Sequence, residues 1–167
     1  FDLPVISIMD CPGIMVGPEV EKTALVRHCA RMFNTGANLS VPMFGLIIRK
    51  AYGLGVQAMC GGSSKVPFFT AAWPTAEFAG MAIEGSVKLA YRSEFQEMES
   101  AEERISVFTD RVDKAYERAK AVNSAEFYGI EDVIDPASSR EWIVAGLNGI
   151  PEPPPRTTKK RPYIDTW

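Results

Sequence analysis

Residues 49–63 read Arg-Lys-Ala-Tyr-Gly-Leu-Gly-Val-Gln-Ala-Met-Cys-Gly-Gly-Ser and follow the apolar run VPMFGLII at 41–48. An unbroken β-friendly run, then closely spaced glycines, then a helix-compatible stretch through Met59 reads as buried strand, turn and helix. In Gly53-Leu54-Gly55 the missing side chains let the backbone come close to a ligand. The first N–H groups of a helix have no intrahelical partner and point outward, toward any negative oxygen placed there. That is the physics of an oxyanion hole, in which fixed donors stabilise charge formed in a transition state. The same spacing also serves a tight strand-to-helix turn with no ligand, which is the commoner use of such glycines.

Upstream, PVISIM at 4–9 is a second short apolar run, and it ends at Asp10-Cys11-Pro12-Gly13 as a strand enters a tight turn. Pro18 and Glu19 open a helix with Leu25, Cys29, Met32 and Phe33 on its inner face, ended by residues 34–40. Downstream, 68–73 is a third strand, and Pro74-Thr75 start a turn or helix through AEFAGMAIEGSVKL at 76–89. Ser100 and Glu103 form a capping-box pair. Ala101, Ile105, Phe108, Val112, Ala115 and Ala119 then recur at helical steps, so a helix to about Val122 is expected. Residues 130–134 are a short strand stopped by Asp135-Pro136. Ser138 or Ser139 caps a last helix carrying Trp142, Ile143 and Leu147. The order strand, helix, strand, helix predicts an α/β layered domain over 1–150. The Pro-rich, basic stretch 151–167 is expected to run extended over a surface.

With 167 residues, 46% of them apolar and 23% charged, the chain suits one soluble domain with a real core. A net charge of −3 argues against a general binder of nucleic acid or of membrane surfaces, since both are polyanionic. No apolar run reaches the roughly 18 residues of a membrane span. The start Phe1-Asp2-Leu3-Pro4 is not a secretory signal and reads as a piece cut from a longer chain. Cys11, Cys29 and Cys60 are odd in number and widely spaced, which disfavours a disulfide framework or zinc site and points to a reducing, cytosolic setting.

Other constellations each have two readings. Asp-Cys-Pro-Gly at 10–13 looks like a GTPase Mg²⁺ segment, but no Asn in the chain is followed by the Lys of a guanine-reading motif. Gly61 to Lys65 forms either a phosphate cradle or a flexible loop. His28 and Cys29 are neighbours, so on a helix they point about 100° apart, which favours a structural His over a nucleophile pair. Glu77 and Glu84 are seven apart and share a face if the segment is helical. They read as an acid–base pair or as surface carboxylates. Arg49-Lys50 binds an anion or sits solvated at a strand end. Arg156, Lys159, Lys160 and Arg161 make the tail an anion-binding strip, an SH3-type ligand or a packing arm.

Four segments occur together in one order: DCPGIMVGPEVE at 10–21, IIRKAYGLGVQAMCGG at 47–62, AWPTAEFAGMAIEGSV at 72–87 and DVIDPASSR at 132–140. In that order they resemble the C-terminal half of the carboxyltransferase (β) component of biotin-dependent acyl-CoA carboxylases, of the propionyl-CoA and acetyl-CoA carboxylase type. The resemblance implies a crotonase-like α/β fold of ββα units, forming one of the two halves of a carboxyltransferase. It implies an enzyme that moves a carboxyl group from carboxybiotin to the α carbon of an acyl-CoA, with no metal.

In that family CoA is held largely by the first half and carboxybiotin by the second, and the active site lies between subunits. Matching residue by residue places the catalytic donors at the backbone N–H groups of Leu54 and Gly55. Biotin or substrate contacts fall to Arg49, Lys50, Tyr52, Gly53, Gly13 and Gly17. The implied partners are the acyl-CoA, a biotinylated carrier or biotin carboxylase subunit, the N-terminal half of the carboxyltransferase and further copies in a homo-oligomer, in the cytoplasm. Alone, this piece is expected to be inactive. Leu54, Ala82 and Ile83 depart from the residues common at those places and mark a subgroup. A biotin-independent decarboxylase or hydratase of the same fold, or a non-catalytic assembly module, are the alternatives.

Overall fold

The computed structural model describes residues 1–127, 129–151, 157, 163 and 164. Its centre is a five-stranded sheet of parallel strands. Strand β2 (Met43–Tyr52) lies between β1 (Val5–Cys11) and β3 (Phe69–Ala72), and β5 (Asp132–Val133) pairs with β3. β2 is long enough to serve two neighbours on one side. Phe44 to Ile47 pair with β3, and Lys50 to Tyr52 pair with β4 (Glu77–Ala79). Buried parallel strands favour continuous apolar runs, and β2 is buried over both of its ends.

Between Met9↔Ile47 and Cys11↔Ala51 the register of β1 and β2 slips, leaving β2 with two extra residues. The N–H of Lys50 freed by this bulge donates to Asp10 Oδ1 at 3.1 Å, and Arg49 Nη1 lies 3.7 Å from Asp10 Oδ2. Asp10 thus satisfies a backbone donor that would otherwise be orphaned.

One core cluster holds Met9, Ile47, Ala51, Cys60, Ala72, Ala76, Ala121 and Ile130. A second gathers Phe44, Leu46, Phe69, Ala71 and Ile134 beneath Trp142 and Ile143 of the last helix, α8 (Ser139–Gly149). Leu147 of that helix is exposed. Asp135 Oδ1 accepts from Ala137 N at 2.7 Å and starts a 3₁₀ turn, Pro136–Ser138. Ser138 makes no side-chain cap. Ser139 Oγ donates to Pro136 O at 2.8 Å and accepts from Trp73 Nε1 at 2.9 Å, which ties the helix start to the sheet.

Several expectations need correction. The helix expected from Pro18 is broken into α1 (Pro18–Glu21) and α2 (Leu25–Ala37), because Ala24 adopts φ 58°. α2 also runs past residue 34. Its apolar face is half-buried at Leu25, Cys29 and Phe33, and Met32 is exposed, so this face is not part of the core. Residues 77–79 form a strand, since the far end of β2 offers them a ladder. The helix α4 (Ile83–Ala90) begins only afterwards, and a short α5 (Arg92–Glu97) follows it. The long helix α6 (Ala101–Ala119) stops at Lys120, whose ψ of 142° is extended. There the chain makes an antiparallel bridge to Glu77, and Ala121 N donates to Ala76 O at 3.0 Å. α7 (Ala121–Glu126) restarts it. Phe108, Val112, Ala115 and Ala119 face inward as expected, whereas Ala101 and Ile105 are exposed.

Ser100 Oγ accepts from Glu103 N at 3.3 Å, the expected cap of α6. Ser100→Ala is expected to lower stability by about 1 kcal/mol, as for other lost N-caps. Chemical denaturation of the two proteins side by side measures it.

Most of the Pro-rich arm, with Arg156, Lys159, Lys160 and Arg161, lies outside the described residues. Within it, the Tyr163 hydroxyl lies 3.2 Å from Thr35 Oγ1 on α2. Among the described residues no helix is long and apolar enough to cross a membrane.

Candidate functional site

The carboxyl ends of β1 and β2 open onto a cavity of about 690 Å³. Ligand crevices of parallel α/β sheets commonly lie at this end. Gly13 and Ile14 to Val16 come from the loop after β1. Tyr52, Gly53 and Leu54 come from the end of β2 and the start of the helix α3 (Gly53–Met59). Leu25, Val26, Cys29, Ala30 and Phe33 are the face of α2, and Gly80, Met81 and Ala82 lead from β4 into α4. The lining is overwhelmingly apolar, in the size range of small-molecule sites. Here lies the reason that α2 is amphipathic without joining the core: its apolar face walls this cavity.

Two glycines shape the floor. Gly53 adopts φ +58°, and a Cβ on it would stand 2.8 Å from Gly80 O. Gly55 is buried, and a Cβ there would meet Cys11 Sγ at 2.6 Å and Gly13 backbone atoms at 3.0 and 3.1 Å. The first turn of α3 is therefore pressed against the loop after β1, closer than any side chain permits. Its amides, including those of Leu54 and Gly55, belong to the helix's first turn and lack intrahelical partners. The Leu54 side chain is 59% exposed at the cavity mouth.

Of the sequence-selected residues, Gly13, Tyr52, Gly53 and Leu54 line this cavity, and Gly55 backs it. Gly17, with φ 124°, caps α1 and is not among the lining residues. Nor are Arg49 and Lys50, which sit in the bulge of β2 beside Asp10. His28 is exposed while its neighbour Cys29 lines the cavity, so the two are not a pair. The stretch 61–65 is tied inward. Ser64 Oγ donates to Gly129 O at 2.7 Å, Thr70 Oγ1 donates to Ser64 O at 2.6 Å, and Lys65 Nζ meets Glu131 Oε1 at 2.7 Å. Glu131 Oε2 also accepts from Thr70 N at 2.6 Å. These bonds describe a structural staple.

Glu77 and Glu84 do not share a helix face. Glu77 starts β4 and Glu84 sits in the first turn of α4. Each accepts from a tyrosine: Tyr52 Oη donates to Glu77 Oε2 at 2.7 Å, and Tyr116 Oη donates to Glu84 Oε1 at 2.7 Å. Burial, and then the Glu77 carboxylate, push the Tyr52 phenol well above its ordinary range. The bond to Glu84 raises Tyr116 to about 12. The same bond holds the Glu84 carboxyl below the usual carboxylate range. Sequence reasoning missed Tyr116 and the cavity walls at Met15, Val16 and Met81. No spacing signal marks Tyr116. The Ile14 to Val16 run could have been noticed as apolar residues stranded in a loop.

The raised phenols have a measurable consequence. Both folded values lie above that of a free tyrosine, so the stabilising bonds are fully present below pH ~10 and fade as pH rises through the folded values. In an alkaline titration followed by tyrosinate absorbance, Tyr52 and Tyr116 are expected to remain protonated at pH ~11, where free tyrosine is mostly ionised. Tyr52→Phe and Tyr116→Phe should each remove part of the late-titrating fraction.

A bulged parallel sheet whose carboxyl end opens on a glycine-floored apolar cavity defines a crotonase-like domain, as in the solved carboxyltransferases that it superposes on. The chain belongs to the carboxyl transferase domain family, which matches residues 1–161. It is 31% identical over 147 residues to the propionyl-CoA carboxylase carboxyltransferase subunit of Haloferax mediterranei, covering 88% of this chain and 28% of that protein. A single-chain, multi-domain long-chain acyl-CoA carboxylase of known structure is 49% identical, with a TM-score of 0.76 over 86% of this chain and 14% of that one. Transcarboxylase 12S, solved as a hexamer, is 26% identical with a TM-score of 0.79 over 98% of this chain and 32% of that one. The chain thus spans less than a third of each of these proteins.

Proposed function

We propose that this chain is the biotin-facing, C-terminal half of an acyl-CoA carboxyltransferase, working in the cytoplasm. The observation that carries the reading is the floor of the 690 Å³ cavity, where α3 starts so close to Gly13 that only backbone can face the ligand. When bound, carboxybiotin would supply the carboxyl group, and the Leu54 and Gly55 N–H groups would donate to its ureido oxygen and stabilise negative charge there. No side chain has to titrate, which suits a cavity whose walls carry so few polar groups. Met15, Val16, Val26 and Leu54 of those walls are exposed here, and once the other half covers them, donors held in the site would act more strongly than in solution. The residues present fit the cofactor in this respect: the cavity is roomy and apolar, with its donors in the backbone.

The acyl-CoA is held by the other half of the enzyme, supplied by a longer polypeptide or by a second copy. A biotinylated carrier brings the cofactor. The known relatives act on different acyl groups, and the 49% match to a long-chain carboxylase favours a long acyl chain over the propionyl group of the 31% match.

The test uses the intact protein that carries this chain. Decarboxylation of malonyl-CoA or methylmalonyl-CoA, the transfer run in reverse, is followed with and without free biotin. The rate is expected to rise severalfold with biotin. In the forward direction with carboxybiotin, long-chain acyl-CoA is expected to outcompete propionyl-CoA. Equal rates with and without biotin contradict the proposal.

A further inference from the structure

Tyr52 is the last residue of β2 and stands immediately before α3, so what fixes Tyr52 fixes the approach to Gly53 and Gly55. It is only 3% exposed. A buried phenol left without a partner is costly, by the desolvation of its hydroxyl. Its partner is Glu77 Oε2 at 2.7 Å, on the strand that β2 meets through Lys50↔Glu77 and Tyr52↔Ala79. Three residues after Glu77, just past the end of that strand, comes Gly80, whose carbonyl is the atom that a Cβ on Gly53 would meet.

The glycine turn and the 80–82 segment are therefore in contact, and the Tyr52–Glu77 bond joins the two strands that carry them. The far end of 80–82 is pinned separately, where Tyr116 of α6 bonds Glu84 of α4 at 2.7 Å. The four groups form one electrostatic cluster. Glu84 and Tyr116 both act on Tyr52, while Glu77 and Arg49 act on Tyr116, and Lys50 and Lys88 act on Glu84.

We infer that Tyr52 and Glu77 are positioning residues for the Gly53–Gly55 turn, their hydrogen bond holding the turn's amides at the orientation that the transfer requires. The inference rests on the proposed role of that turn. Glu77 does not line the cavity, so it acts through Tyr52 and not on the substrate. A loosened turn loses its fit to charge that exists only in the transition state. Ground-state binding of acyl-CoA belongs to the other half of the enzyme and is spared.

Four variants of the intact protein test this: Tyr52→Phe, Glu77→Ala, the double variant, and Glu77→Gln. Tyr52→Phe and Glu77→Ala are each expected to lower kcat by about 10- to 100-fold, since small misplacements of fixed groups cost this much. KM for acyl-CoA should stay within about twofold. The double variant should be no slower than either single one, because both remove one bond. Glu77→Gln keeps an acceptor for the phenol and should recover most of kcat.

In parallel, hydrogen exchange at the amides of 53–57 should speed up in Tyr52→Phe and Glu77→Ala while that of α6 is unchanged. Losses that multiply in the double variant, or wild-type kcat in Tyr52→Phe, overturn the inference. Unchanged exchange at 53–57 overturns it as well. A wild-type protein with no biotin-dependent activity would sink the carboxyltransferase reading instead, and the exchange measurement would then decide alone whether the bond positions the turn.

Discussion

Gly55→Ala in the intact protein is expected to lower kcat/KM for carboxyl transfer by about 100-fold or more, the scale seen when an oxyanion donor is lost. The added Cβ would stand 2.6 Å from Cys11 Sγ and 3.0 and 3.1 Å from Gly13 backbone atoms. The thiol can rotate away. The Gly13 atoms are backbone, two residues past the end of β1, and have no rotamer by which to give way. The helix α3 must therefore retreat from that loop, carrying the Leu54 and Gly55 amides with it. A shift of about 1 Å in a fixed group is enough to cost ~100-fold. Leu54→Ala is the matched control. It removes a side chain at the cavity mouth, leaves its N–H in place, and should change substrate preference far more than rate. Steady-state kinetics with circular dichroism as the folding check decides the matter. A Gly55→Ala enzyme of wild-type rate would show that the close approach of α3 to Gly13 is not required.

Phe44→Ala is expected to have the largest effect on stability, a loss of about 3–5 kcal/mol as for other fully buried aromatic side chains. The Phe44 ring is 1% exposed and lies 5.2 Å from Phe69, which in turn meets Trp142 edge-on at 5.5 Å. Gly146 of α8 exists as glycine because a Cβ there would press on Phe44 Cε1 at 2.6 Å. The ring is thus the piece over which α8 closes on the sheet, and neither β2 nor α8 can collapse into the space it leaves. At about 2–4 °C per kcal/mol for a chain of this size, the melting temperature should fall by roughly 6–20 °C. Phe68, also edge-on to Phe44 at 5.8 Å but half exposed, should cost much less when truncated. Calorimetry on the three proteins gives the comparison, and equal losses at the two positions would contradict the packing described.

The strands β1, β2 and β3, the glycine turn and the cap at Ser100 were readable because each is a local signal: an apolar run, a pair of glycines, a Ser and Glu three apart. Strand β4 was not. Glu77 to Ala79 have no strand signature of their own, and only the overhanging end of β2 makes them one. The break at Ala24 was equally silent, since an alanine with φ 58° contradicts its propensity. The periodicity of α2 marked its apolar face, but the inner face expected from it is not core: Met32 is exposed, and Leu25, Cys29 and Phe33 wall a cavity, since amphipathicity does not say what a face will meet. At the site, the sequence located the turn and the close-packed glycines. The ties that hold them join residues 25 and 32 apart and have no linear signature. The family resemblance came from four short segments, and all four fall within the stretch that the carboxyl transferase domain family matches.

The central claim is that the amides after Tyr52 face the biotin ureido oxygen. A crystal structure of the intact protein soaked with free biotin tests it most directly. The ureido oxygen is expected within about 2.7–3.2 Å of the Leu54 and Gly55 nitrogens, the ordinary N–H···O range. Biotin bound away from this turn, or a CoA thioester oxygen occupying the same two donors, would contradict the account.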